Sequence, residues 1–260
     1  MRSIAVRRTA LAASAATLAL LATACGGSSD GESKGDGGKP ADKTASAAPA
    51  KTLSAAELEK VALAQKDVKS GKVVTEVVPG DNLAQDKVTS DDAACTPLAY
   101  VAAASYVGKP AATVKRSWTG EAEKPGAGAG DEEKALAVAN YAKAVETLTS
   151  YDGGGAEQAM KDLKTAVEKC AGGFSYTADG TKLKIVKVAT TSEPGGADQA
   201  LAVTLTVATD EGMKAPMKAV VVRKGAVLAH FPVINFASLA TGKDFAFPTQ
   251  LVDAQLAKLG

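Results

Sequence analysis

Between residues 174 and 234 apolar residues recur at every second position, in runs that are cut at short intervals by glycine. The runs cover 174–177, 183–188, 200–208, 217–223 and 227–234. The separators are Ala178-Asp179-Gly180-Thr181, Pro194-Gly195-Gly196, Asp210-Glu211-Gly212 and Lys224-Gly225. A period of two marks strands with one face buried, and short separations containing glycine mark antiparallel neighbours joined by hairpins. This stretch is therefore expected to be a run of antiparallel strands, and the remainder has to cover it.

The residues before this run supply the cover. Ser54 and Glu57 form a capping-box pattern ahead of Leu58, Val61, Ala62 and Gln65, which predicts a helix to about Ala64. Residues 73–78 read as a strand closed by Pro79-Gly80, and the polar stretch 81–92 reads as loop. A second helix opens at Cys95-Thr96-Pro97, with Pro97 in the first turn where its missing N–H costs nothing, and ends at Gly108-Lys109-Pro110. Residues 113–119 alternate as a strand, and 120–130 read as an exposed loop. Residues 131–150 carry both signals: helix-forming composition over 132–148, and alternation over 145–151, for which strand is expected. Met160, Leu163, Val167 and Cys170 share one face of a helix over 156–170, and 248–259 predicts a last helix. Helices gathered before a run of strands give an α+β fold, an antiparallel sheet with helices packed on it and room for a cleft. No internal repeat is present.

The chain starts differently. Arg2, Arg7 and Arg8 precede an uncharged apolar stretch over 9–21, followed by Ala22-Thr23-Ala24-Cys25-Gly26-Gly27. The order of charge, apolar run and small residues is that of a secretory signal. It is too short and too rich in alanine to span a membrane, which takes about 20 strongly apolar residues. Ala22-Thr23-Ala24-Cys25 resembles a lipobox, with Ala22 where leucine is usual, and predicts cleavage after residue 24 and lipidation at Cys25. The alternative is an ordinary cleaved signal with an unmodified Cys25. Residues 25–52 are mostly Gly, Ser, Ala, Pro, Lys and Asp. Such composition cannot bury enough apolar surface to offset its ordering entropy, so a flexible tether is expected, with one folded domain over 53–260.

Without its first 24 residues the chain carries 27 basic and 29 acidic side chains, a net charge of −2. That balance offers no electrostatic footprint for nucleic acid. Aromatic residues make up 4% of the chain, with Trp118 the single tryptophan, which argues against an aromatic carbohydrate platform.

Once Cys25 is assigned to lipid, Cys95 and Cys170 remain, one at the start of a helix and one at the end of another. In a secreted chain two remaining cysteines are expected to pair, stapling the two helices across the sheet. A redox-active pair is the alternative, but there is no Cys-X-X-Cys spacing and no nearby histidine. His230 is the single histidine and lies within a predicted strand, where a structural role is expected. No Gly-X-Ser-X-Gly elbow occurs, and one histidine is too few for a zinc site. Ser90-Asp91-Asp92 and Asp131-Glu132-Glu133 read as solvated loops rather than calcium ligands. Gly153-Gly154-Gly155 precedes a helix without the Lys-Ser/Thr of a phosphate loop. Tyr100, Tyr106, Trp118, Tyr141 and Tyr151 are candidates either to line a groove or to pack in the core. No catalytic set, cofactor site or metal site is expected.

The order Cys95-Thr96-Pro97-Leu98-Ala99, Leu148-Thr149-Ser150-Tyr151-Asp152, Cys170-Ala171-Gly172-Gly173-Phe174 and Val220-Val221-Val222-Arg223-Lys224-Gly225 resembles the extracellular sensor-like domains of actinobacterial lipoproteins, related to the PknH kinase ectodomain. The resemblance covers 53–260. It implies an α+β domain with a cleft that binds a ligand or partner rather than catalysing a reaction. The kinase ectodomain has more disulfides; Cys95 and Cys170 are the cysteines available here. The expectation is a non-enzymatic, lipid-anchored binding or sensor-like lipoprotein on the extracytoplasmic face of the membrane. Its partners are that membrane, reached through lipid on Cys25, and an envelope ligand or protein. A carrier with an apolar cavity for lipid is the alternative, and an envelope hydrolase a more distant one.

Overall fold

The alternating runs form five consecutive strands of a nine-stranded antiparallel sheet: β5 (Phe174–Ala178), β6 (Thr181–Thr190), β7 (Gln199–Ala208), β8 (Lys214–Lys224) and β9 (Val227–Asn235). The computed structural model describes residues 50–209 and 212–260. The proposed signal, Cys25 and most of the tether lie outside the described residues, as do Asp210 and Glu211 of one hairpin. Four strands come from earlier in the chain: β1 (Lys72–Val74), β2 (Val88–Ser90), β3 (Ala112–Thr119) and β4 (Ala142–Ser150). The order is β1-β3-β4-β9-β8-β7-β6-β5-β2, so β9 closes the hairpin run by pairing with β4. At the β5–β6 turn Asp179 and Gly180 both have positive φ, 46° and 80°, the conformation that matches a two-residue hairpin to strand twist.

Side-chain alternation divides the core into two layers. Leu201, Val203, Leu205, Ala219, Val221 and Leu228 point to one face, which α2 (Thr96–Ala102) and α4 (Gly155–Lys169) cover. Ala200, Ala202, Val220, Val222, Ala229, Phe231 and Val233 point to the other, which α1 (Ala55–Val61) and α6 (Gln250–Leu259) cover. Helix α4 buries Ala156, Ala159, Met160, Leu163, Ala166 and Val167 along a single stripe, as its spacing predicts. Cys95 and Cys170 form a disulfide with Cα atoms 5.9 Å apart. The bridge is the expected pair, but it does not reach across the sheet: α2 and α4 are neighbours on one face, and the cysteines join them side by side.

Several elements differ from expectation for local reasons. Helix α1 keeps its capping box but stops at Val61, because buried side chains bond both the N–H and the C=O of Leu63. The strand expected over 73–78 shortens to 72–74, and part of the expected loop 81–92 becomes β2 by pairing with β5. Helix α2 stops at Ala102, and Ala104 takes a left-handed φ of 52°. Residues 131–150 divide into α3 (Asp131–Ala139) and β4, so both signals in that stretch are realised. Helix α5 (Phe236–Thr241) was not anticipated; the Asn235 side chain starts it by accepting a hydrogen bond from the Ser238 N–H.

Candidate functional site

Lys115 on β3, Thr147 on β4, and His230 on β9 form one row across three strands, on the α2/α4 face. His230 is fully buried, and among the described residues neither ring nitrogen has a hydrogen-bond partner. Burial, followed by the charge of Lys115, pushes its pKa down to about 3, so the ring is neutral. Thr147 donates to the Ala104 carbonyl at 2.8 Å rather than to His230. The row therefore assembles no nucleophile and base pair.

The acidic runs serve the backbone. Asp91 accepts from the Ser175 N–H, Asp92 caps the turn that leads into α2, and Asp131, Glu132 and Glu133 lie in the first turn of α3, where the helix dipole favours them. Of the aromatic candidates, Trp118 and Tyr151 are core residues with satisfied polar tips: the indole donates to the Ser70 carbonyl at 3.0 Å and the phenol to the Val107 carbonyl at 2.6 Å. Tyr141 packs on Phe236 with ring centroids 4.7 Å apart.

An apolar concavity lies on the other face. A cleft of about 340 Å³ opens between the start of α6, the loop that links β6 to β7, and the α1/α6 face of β7 and β8. Its floor is Ala202 and Val220, both nearly enclosed by protein. Val252 of α6 and Phe247 form one wall, and Pro194-Gly195 the other. Position 202 on β7 carries alanine rather than a larger residue, and α6 packs on this face through Leu251 and Val252. Polar groups gather at the rim: Thr191, Ser192, Glu193, Thr249, Asp253 and Lys218. Lys218 is held in place. Its ammonium meets the two carboxylate oxygens of Asp244 at 3.0 and 3.1 Å and lies 5.2 Å from the centre of the Phe245 ring. The same hydrogen bond lowers the Asp244 pKa, so that carboxylate stays charged.

An apolar pocket with a few polar groups around it, of this volume, has the makeup of a small-molecule site. Its residues come from four separated stretches, and nothing in the sequence marked them as a set. Among the described residues no group of three or more His, Cys, Asp and Glu side chains is arranged to hold a metal ion, and no helix is long and apolar enough to cross a membrane.

No protein-family model and no curated protein matches this chain. Among solved structures the chain is similar to the crystal structure of the extracellular domain of PknH from Mycobacterium tuberculosis, at 14% sequence identity over 80% of this chain and 95% of that chain, with a TM-score of 0.41.

Proposed function

We propose that this protein is an extracytoplasmic binding or sensor-like lipoprotein, anchored by lipid at Cys25, that recognises an envelope ligand or partner rather than catalysing a reaction. The cleft between α6 and β7–β8 carries this reading: an apolar floor of Ala202 and Val220 with Lys218, Glu193 and Asp253 at its rim suits a small, largely apolar ligand with a polar or charged end. The Cys95–Cys170 bridge supports the compartment, since structural disulfides persist outside the reducing cytosol.

A thermal-shift screen of the mature protein against envelope lipids, glycans and small metabolites tests the site. A binder of the folded state raises the melting temperature, and the shift grows with the logarithm of its concentration above Kd. Ala202→Leu fills the floor and is expected to remove that shift while leaving the fold intact. A shift that persists in A202L places the ligand elsewhere. No shift with any compound, and no partner cross-linked on cells, overturns the proposal. The apolar floor also favours a carrier of lipid or other hydrophobic molecules, and native mass spectrometry separates the two readings: a carrier co-purifies with lipid, a sensor of an exogenous ligand does not.

A further inference from the structure

Three charged side chains line the cleft between α6 and β7–β8, and only one of them is matched. Lys218 is the cation. It lies two positions from Val220 on the same face of β8, with its side chain 17% exposed. Asp244 meets its ammonium with both carboxylate oxygens, so an anion entering the cleft would have to compete with a carboxylate already in place. Glu193, on the loop from β6 to β7, and Asp253, in the first turn of α6, are the acids. Both are exposed, and among the described residues neither has a Lys, Arg or His nitrogen at ion-pair distance.

Two other positive groups lie near the cleft. Lys224 reaches the same loop, where it donates to the Gly196 carbonyl at 3.3 Å, but it does not line the cleft. The positive end of the α6 dipole is offset within the helix by Asp253. Glu193 has no such counterpart. With Lys218 set against Asp244, and the dipole against part of Asp253, the mouth keeps an excess of negative charge. A carboxylate on the end of a ligand meets two acids and a lysine that is already paired. An ammonium meets two acids and no free cation.

We propose that the cleft takes a small, single-chain amine, with its apolar tail on Ala202 and Val220 and its ammonium at the mouth beside Glu193 and Asp253. This rests on the reading of the cleft as the ligand site and adds the sign of the ligand's charge. The enclosed apolar floor makes the site, and the two acids select the end group. A volume of about 340 Å³ is at the small end for ligand pockets, which suits one chain rather than two. Each ion pair is open to solvent and worth a factor of about one to five alone. Against a carboxylate on the same tail, attraction is replaced by repulsion at both acids, so the discrimination reaches about tenfold.

The test uses the full mature chain and ligands that share one tail: octylamine, octan-1-ol and octanoate, titrated by calorimetry at neutral pH and low salt. Octylamine, which is protonated there, is expected to bind about tenfold more tightly than octanoate, with octanol between them. The difference is expected to shrink at about 1 M salt, where the screening length falls to about 3 Å. Glu193→Gln and Asp253→Asn are each expected to lower the ratio about threefold, and together to bring it within about twofold. Ala202→Leu is expected to remove binding of all three, and the two exposed acids carry the test if A202L fails to fold. Equal affinities that are all lost in A202L keep the cleft as the ligand site and overturn its preference for a cation. Octanoate as the tightest ligand assigns recognition to Lys218 and overturns it too. A preference that persists in the double variant, amine binding that survives A202L, or no amine binding at about 1 mM overturns the proposal as well. Dioctylamine is expected to gain no more than about tenfold over octylamine; a larger gain buries a second chain, assigns the cleft to membrane lipid and overturns the proposal.

Discussion

Glu146 on β4 and His230 on β9 are both enclosed by protein and face opposite sides of the sheet. Glu146 accepts from the Leu63 N–H at 3.2 Å, while Arg116, its cross-strand partner, donates to the Leu63 carbonyl at 3.1 Å. The two side chains grip one peptide unit and fix where the chain leaves α1. Burial pushes the Glu146 pKa from 4.5 up to about 8, against the pull of the Leu63 N–H and the Arg116 charge, so the carboxyl is protonated at neutral pH. The stability that this gives is complete below pH 4.5 and is lost as pH rises through about 8. His230 has the opposite sign, its pKa falling from 6.5 to about 3, so its share is complete above pH 6.5 and lost as pH falls through about 3. Each group contributes a slope of at most about 1.4 kcal/mol per pH unit, and the two oppose one another between their ordinary pKa values. Urea unfolding across pH is expected to show a plateau near pH 4.5–6.5 and a decline above it. Glu146→Gln is expected to remove the decline above pH 6.5, and His230→Leu to start it near pH 4.5. Profiles that do not change in either variant overturn both assignments. H230L is also expected to be more stable than the natural protein at pH 7 by about 1 kcal/mol, since it removes two buried nitrogens that lack partners. The alternating pattern already placed His230 in a strand and suggested a structural role. It could not place Arg116 opposite Glu146, because that register is set by long-range pairing and by nothing local to either residue.

At the scale of elements, the disulfide joins α2 and α4 over a sequence separation of 75 residues. Replacing Cys95 and Cys170 together by alanine is expected to cost about 4 kcal/mol, the loop-closure entropy of a cross-link of that span. Urea midpoints of the double variant and the oxidised natural protein check the figure, and a loss below about 1 kcal/mol overturns it. Just beyond the bridge, Gly173 turns the chain from α4 into β5 with a φ of 97°, and a Cβ there falls 2.3 Å from the Ile185 carbonyl oxygen. Gly173→Ala is therefore expected to destabilise the domain by several kcal/mol, about 3 or more, through backbone strain and a clash with a ladder carbonyl, as thermal melting would show. Elements whose signal is local were legible: the hairpin run, the stripe of α4 and the capping box of α1. Those made by tertiary pairing were not. Val88-Thr89-Ser90 has the composition of a loop and becomes a strand because β5 offers it a partner. The helix opened by Pro97 ends several residues short of Gly108, because the left-handed turn at Ala104 brings its carbonyl to Thr147.

For the whole molecule, a sheet with helices packed on it was readable from the order of patterns, but which helices share a face and where the cleft lies were not. Its lining comes from residues 191–195, 202–203, 218–220 and 247–253, which only the closed sheet brings together, and the small side chain of Ala202 is too common a residue to signal a cavity. The anchor is read from sequence alone, so its test is chemical: mass spectrometry of the mature N-terminus is expected to find an acylated Cys25. A free thiol there would leave the domain secreted but untethered.

The position of β9 has a consequence for how such a chain is made. Leu148 of β4 and Val222 of β8 both pair with Ala229, so the two halves of the sheet meet only through a strand that lies late in the sequence. A chain that crosses a membrane N-terminus first can zip β3 onto β4 early, but that hairpin lacks its other neighbour until residue 235 has emerged. Pairings between such distant segments form slowly, and incomplete sheets stay open meanwhile. Were the chain exported as proposed, folding would follow translocation: the polypeptide would stay threadable for nearly the length of the domain and close on the far side. Translocation intermediates arrested before residue 227 are expected to be digested by protease, and chains released past α6 to resist it. Resistance in the shorter intermediates would show that the early half of the sheet folds without its central strand.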